Sequence, residues 1–258
     1  RPEAQSFRGA HYRFAIDEEL SEGLRGLARR EGVTLFMALL ASWQALLHHY
    51  TGEQRLNVGT PVAGRNRVEI EPLIGFFINT LVLSGELGGD PSYAELLRRV
   101  RETCLEAYAH QDVPFERLVE ALQPERSLDR SPLFQVWFAL MDSPLDKLQL
   151  DGLRVEEFAF DSLIAKYDLA LLVTDSEPEL GVVLEYNSDL FEPATAARMA
   201  WHLVTLLRHA VAEPGLRLSQ LGGILKEEER KRRSAKAQEF KAADRQKLKG
   251  IKRRVISG

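Results

Sequence analysis

The sequence predicts an α/β unit of the mixed, α+β kind, a mixed β-sheet flanked by helices, and three observations predict it. Apolar stripes at helical spacing fill the first half of the chain and return near its end. Between them, residues 73–83 are almost continuously apolar and read as a strand covered on both faces. Four further strand-like runs, at 133–141, 148–160, 167–174 and 180–186, then precede the last amphipathic helix.

The elements follow in order. Residues 11–16 partly alternate apolar and polar side chains, a strand, and Asp17 caps a helix whose stripe is Leu20, Leu24 and Leu27. Gly32 ends it. Thr34 starts a far more hydrophobic helix carrying Leu35, Phe36, Leu39, Leu40, Trp43, Leu46, Leu47 and Tyr50, ended by Gly52; so broad an apolar face requires deep burial. A short strand at 56–60 leads into the turn-rich Pro61-Val62-Ala63-Gly64-Arg65-Asn66. After the break at Gly88-Gly89-Asp90-Pro91, a helix from about Ser92 places Leu96, Leu97, Val100, Leu105 and Tyr108 on one side. A short helix over 115–122 and a polar loop over 123–132 precede the strand-like runs. The final amphipathic helix, 193–211, points Met199, Leu203, Leu206 and Leu207 inward.

With 258 residues, 45% of them hydrophobic, the chain can bury a core in one large domain, with or without an extension. No apolar run approaches the roughly 20 residues that span a bilayer, and the N-terminus lacks a signal peptide's apolar region, so a cytoplasmic protein is expected. The single cysteine, Cys104, sits at core spacing from Leu97 and Val100 and reads as a buried structural thiol. The chain opens on arginine rather than methionine, which suggests a piece of a longer polypeptide. Charge divides it unevenly. Residues 226–258 hold 13 Lys and Arg against 5 Asp and Glu, a balance of +8, leaving −12 on the first 225 residues of a chain whose net charge is −4. The expected division is therefore a folded unit over 1–220 and a basic helical or flexible tail over 221–258.

The most informative stretch is His110-Gln-Asp-Val-Pro-Phe-Glu116. It reads as a corner between two helices, with Asp112 as N-cap accepting from the Phe115 N–H and Pro114 placed where a missing N–H costs nothing. Glu116 falls in the first turn of the new helix and His110 at the end of the old one, the signs a helix dipole favours.

Other motifs point nowhere. Gly59-Thr-Pro-Val-Ala-Gly64 has P-loop glycine spacing, but Arg65-Asn66 replaces Lys-Ser/Thr and no helix follows. His48 and His49 point about 100° apart on one helix, and His202 and His209 are expected to be surface or boundary residues. Neither a Gly-x-Ser-x-Gly elbow nor a His-Glu-x-x-His is present. No metal site is expected. The basic tail has Phe240 as its one aromatic, so a solvated linker is favoured over nucleic-acid contact.

Three motifs together, Ile74-Gly-Phe-Phe-Ile-Asn79-Thr80, His110-Gln-Asp-Val-Pro-Phe-Glu116 and Ser127-Leu-Asp-Arg-Ser-Pro132-Leu133, resemble in order and spacing the last core motifs of nonribosomal peptide synthetase condensation domains. The segments Val58-Gly-Thr-Pro-Val-Ala-Gly-Arg65, Lys166-Tyr-Asp-Leu169 and Leu184-Glu-Tyr-Asn-Ser-Asp-Leu-Phe191 extend the resemblance over residues 6–212. Ser131 stands where the family usually has Asn. The resemblance implies a chloramphenicol acetyltransferase-like lobe, specifically the C-terminal one of two. The family's His-His-x-x-x-Asp-Gly belongs to the first lobe, and the local imitation at His48-His49 lacks both Asp and Gly.

No catalytic residue is therefore expected here. Asn79 is the candidate tunnel-lining residue, with satisfaction of buried backbone groups as the equally open alternative, while Gly75, Phe77, Thr80, His110, Asp112, Pro114, Phe115, Glu116, Arg130 and Pro132 are expected to build the family's motifs. Implied partners are the missing N-terminal lobe, peptidyl carrier proteins and adjacent synthetase domains. The resemblance also implies no directly bound cofactor, with phosphopantetheine presented by the carriers. Two rival readings stand beside this one: a self-sufficient acyltransferase, and a noncatalytic docking module whose basic tail meets an acidic partner such as a carrier protein.

Overall fold

A computed structural model describes residues 1–65, 68–70, 72–125, 127–142, 152–153 and 163–250. A hairpin-like relation ties the two ends of the fold together. Strand β1 (Gly9–Ile16) lies antiparallel to β6 (Glu179–Asn187), and β6 lies antiparallel to β5 (Leu169–Ser176). Next comes β4 (Val136–Asp142), parallel to β5 on one side and to β2 (Arg55–Val62) on the other; β3 (Asn79–Glu86) closes the edge antiparallel to β2. The sheet order is β1-β6-β5-β4-β2-β3, a mixed sheet as expected.

Helices α1 (Glu18–Glu31), α2 (Leu35–Thr51), α3 (Tyr93–Ala109) and α5 (Pro193–Ala212) bury their stripes in one core with alternate strand residues such as Val58, Leu83, Phe138, Leu171 and Val182. Their ends follow local chemistry. Asp17, Thr34 and Ser92 each accept a hydrogen bond from a backbone N–H of the turn they cap. Gly32 and Gly52 close α1 and α2 in the left-handed region, at φ of 67° and 73°, which a Cβ would disfavour. Cys104 is buried as expected, and burial pushes its thiol up to about 12.

Three expectations need correction, and one falls largely outside the described residues. The apolar stretch 73–83 is a strand only from Asn79; Leu73, Ile74, Phe76 and Ile78 are exposed. Its strand portion also lies at the sheet edge, where Leu81 and Leu83 are buried and Val82 between them only partly so. The reason is pairing: β2 ends at Val62, opposite Asn79, so its ladder reaches no residue upstream of Asn79. Leu105 is exposed, because α3 presents Val100 and Cys104 to the core. His202, expected near the surface, is buried. The strand expected over 148–160 lies almost wholly outside the described residues.

The last helix, α6 (Leu218–Gly250), starts ahead of the expected boundary after residue 220 and buries Leu218, Leu221 and Leu225 in the core. Beyond Lys226 it carries solvated pairs one turn apart, Glu227 with Arg230, Glu228 with Lys231 and Glu229 with Arg233. No described helix is long and apolar enough to cross a membrane.

Candidate functional site

Asn79 is the first residue of β3, and its side chain reaches across to the corner between α3 and α4 (Phe115–Leu122). Its Nδ2 donates to the carbonyls of Gln111 and Val113, both at 2.8 Å, while Oδ1 accepts from the N–H of Phe115 at 3.2 Å and of Thr80 at 2.8 Å. Two donors and two acceptor positions are thus all taken by backbone.

The capping expected of Asp112 is therefore made by a residue more than thirty positions away. The N-cap residue of α4 is Pro114, which has no capping side chain, and the Phe115 N–H turns to Asn79. Local spacing suggested an Asp, but the tertiary contact brings an amide that serves both sides of the corner at once. His110 terminates α3, its N–H donating to the Ala107 carbonyl at 3.1 Å, and Glu116 lies in the first turn of α4.

Beside the corner, the loop after β2, residues 63–65, clasps the exposed stretch. Arg65 donates to the Ile70 and Leu73 carbonyls at 2.8 and 2.7 Å, and its guanidinium lies 4.4 Å over the Phe77 ring. Gly64 stands so close to the Phe77 carbonyl that a Cβ there would overlap it.

These parts border an open groove of about 940 Å³. Phe77, Asn79, Thr80, Asp112, Pro114, Phe115, Glu116 and Pro132 all line it, so most of the expected motif residues converge. Gly75, His110 and Arg130 stand outside the lining; Arg130 instead pairs with Asp129 at 3.2 Å in the exposed 127–133 loop. The Ser127 hydroxyl and then Arg130 hold the Asp129 carboxyl below its ordinary range.

Sequence reading overlooked the opposite wall, which is aromatic. Trp137 and Tyr167 stack at 4.9 Å and 7°, Phe134 lies 5.4 Å from Tyr167, and the Lys166 ammonium sits 5.4 Å from the Tyr167 ring centre. The Lys166-Tyr167 dipeptide was a visible signal, since it belongs to one of the family motifs. Trp137 gave none, because its alternation along β4 does not say which face carries the groove.

Among the described residues, none that lines the groove is a histidine, and no group of His, Cys, Asp and Glu could hold a metal ion. His49 and His202 lie instead at the junction of α2, α5 and α6, their rings 5.7 Å apart. The Tyr50 hydroxyl is 2.7 Å from His202 Nδ1, and burial pushes His202 down to about 4.

Comparison with known proteins decides the family: a family profile described as Condensation domain matches residues 1–232. The chain belongs to the condensation-domain family. Among relatives of this condensation domain, a linear gramicidin synthase chain of Brevibacillus parabrevis is 49% identical over 83% of the chain. Chondramide synthase of Chondromyces crocatus is 45% identical over 90%, and a phosphinothricin tripeptide synthetase of Streptomyces viridochromogenes 44% over 88%. The condensation domain spans only 3%, 6% and 21% of those proteins' lengths. It is thus a condensation domain of nonribosomal peptide synthetases.

Solved structures give the same fold. A four-domain nonribosomal peptide synthetase bound to AMP and glycine superposes with a TM-score of 0.79 at 28% identity, over 85% of this chain and 18% of that one. The X-domain from teicoplanin biosynthesis gives 0.77 at 29% identity, over 85% of this chain and 50% of that one.

Proposed function

We propose that this chain is the C-terminal lobe of a condensation domain and supplies one wall of an amide-forming site completed by an N-terminal lobe. In that reaction the amine of an acceptor aminoacyl group, held on one carrier protein, attacks the donor thioester on another. A C–N bond forms, the C–S bond breaks, the amine loses a proton and the phosphopantetheine thiol leaves protonated. A thioester needs alignment and a base more than electrophilic activation. In this reading the base lies on the other lobe, and the groove beside Asn79 supplies alignment.

One observation carries the reading. Of the apolar side chains lining the groove, Phe76 is 87% exposed and Ile78 is also exposed, and Ile74 and Val113, close to lining residues in the sequence, are exposed as well. A contiguous exposed apolar surface marks a place where another protein surface sits. Coverage of half the teicoplanin X-domain supports the same conclusion. Asn79 then acts by holding the corner against β3, so that the tunnel wall it lines keeps its shape. Residues past Lys226 act as a linker towards adjacent synthetase domains, with phosphopantetheine entering only on the carriers.

The test is reconstitution: this chain, an N-terminal lobe from a related condensation domain, and two carrier proteins loaded with donor and acceptor aminoacyl thioesters, read by mass spectrometry. Amide product only when both lobes are present is the expected result. Product from this chain alone would make it a self-sufficient acyltransferase. Carrier binding without lobe association or product would make it a docking module, and salt sensitivity lost on deleting residues 226–258 would locate that docking in the tail.

A further inference from the structure

A second cavity, of about 600 Å³, shares Phe134 as a wall with the groove but includes neither Asn79 nor the corner. It exists because β2 and β4 barely meet. They pair only at Val58↔Val136 and Gly59↔Trp137, so the residues preceding each pair diverge. The Phe134 ring lies against Gly59, where any Cβ would overlap it. A hydrogen bond spans the gap, from Asn57 Nδ2 to the Leu133 carbonyl at 3.0 Å.

The lining is mainly apolar: Leu47, Leu56, Val136, Leu169, Phe191 and Met199. The charges around it are unequal in their commitments. Asp168 is engaged by Arg1, and Arg55 by Glu86. Arg198 donates to Thr195 Oγ1 at 3.4 Å and forms an ion pair with Glu229 at 3.9 Å, longer than a hydrogen bond. Arg198 also faces the Tyr50 hydroxyl, where it opposes the rise that burial gives that phenol. Its guanidinium carries five N–H donors, more than these contacts use. The cavity also abuts the start of α5, whose first turn holds no acidic residue and whose N-cap, Glu192, makes no side-chain bond to the helix. The Tyr50 hydroxyl is already engaged by His202. Glu53 is the acidic group on the rim besides the engaged Asp168.

We propose that this cavity binds a small amphipathic carboxylate, with its alkyl or aryl body against Leu56, Val136, Leu169 and Met199 and its carboxylate on Arg198. The volume falls in the range of about 300–1,000 Å³ typical of small-molecule sites, and most of the wall surface is apolar, as in such sites, although polar side chains also border it. The guanidinium matches a carboxylate with two parallel charge-assisted bonds. The start of α5 adds a positive potential on the same side. This site is independent of the amide-forming reading, since no groove residue except Phe134 enters it.

Calorimetric titration of the full chain with octanoate, and with octanamide as its neutral counterpart, tests the proposal. Octanoate binds at one saturable site, at least about tenfold tighter than octanamide, because a hydrogen bond to a charged group is worth more than one to a neutral group. Arg198→Gln weakens octanoate about 10–100-fold and leaves octanamide unchanged. Leu56→Trp fills the cavity and abolishes both while circular dichroism stays native. Arg198 is partly exposed, so its substitution leaves the core intact and the octanoate–octanamide comparison decides even if Leu56→Trp fails to fold. Three results overturn the site: octanoate binding that survives Arg198→Gln, as adsorption on the exposed 73–78 stretch would; equal affinity for acid and amide; or no saturable uptake by folded wild-type chain.

Discussion

Leu83 and Phe76 lie seven positions apart in one apolar stretch, yet Leu83 is fully buried between β3 and the helices while Phe76 projects from the groove rim. The covered half of the stretch is satisfied within this chain. The open half, Leu73, Ile74, Phe76 and Ile78, is exposed. Hydrophobicity alone states that a side chain needs cover, and it does not state whose surface provides that cover. Asn79 stands at the seam between the halves, where pairing with β2 begins.

The largest expected effect falls on the covered side. Leu83→Ala should cost about 2–5 kcal/mol in denaturant unfolding, since it leaves a cavity in a packed core. A loss below about 1 kcal/mol would mean that the edge strand is not seated as described. At the seam, Asn79→Ala removes four hydrogen bonds to backbone and should cost about 2–4 kcal/mol. Hydrogen exchange should show the loss concentrated over residues 110–118; uniform loss would contradict a local splice.

A third measurement probes the covered junction of α2, α5 and α6. His202 is held neutral, at about 4 against an ordinary value near 6.5, so the unfolded chain binds its proton more readily. Stability is therefore full above about pH 6.5 and falls as the pH drops from there towards 4, by up to about 3 kcal/mol. His49, lowered by the same burial, adds in the same direction. His202→Gln should flatten that slope. An unchanged slope would place the proton-sensitive group elsewhere.

The smallest effect on stability belongs to the open side. Phe76→Ser should change the unfolding free energy by less than about 0.5 kcal/mol, because an exposed ring has little packing to lose. Yet it should weaken association with an N-terminal lobe at least about tenfold in a pull-down or titration, as loss of a central apolar anchor does. Equal association would remove the rim from the lobe contact. Cys104 supplies a complementary check on the covered side: with its thiol pushed up to about 12, it should react with a thiol reagent only on unfolding.

Much of the fold is written locally. Asp17, Thr34 and Ser92 as caps, Gly32 and Gly52 as stops, and the stripes of α2 and α5 are short-range patterns in which every participant lies within a turn or two. The family was equally legible, because its motifs are runs of consecutive residues. What misled were positions whose partners are remote. Asp112 has the right spacing for a cap, but Asn79 reaches the same N–H from another strand. His202 looked peripheral on its helix until α2 and α6 covered it.

By itself, then, the sequence determined most helix limits and family membership, since these depend on periodicity, capping and contiguous motifs. Only the tertiary structure decided that Asn79 caps α4, that Trp137 and Tyr167 wall the groove, and that β2 and β4 part to leave a cavity behind Phe134. Each of those is a meeting of surfaces distant along the chain, and such meetings are set by how whole elements pack rather than by any neighbouring residue.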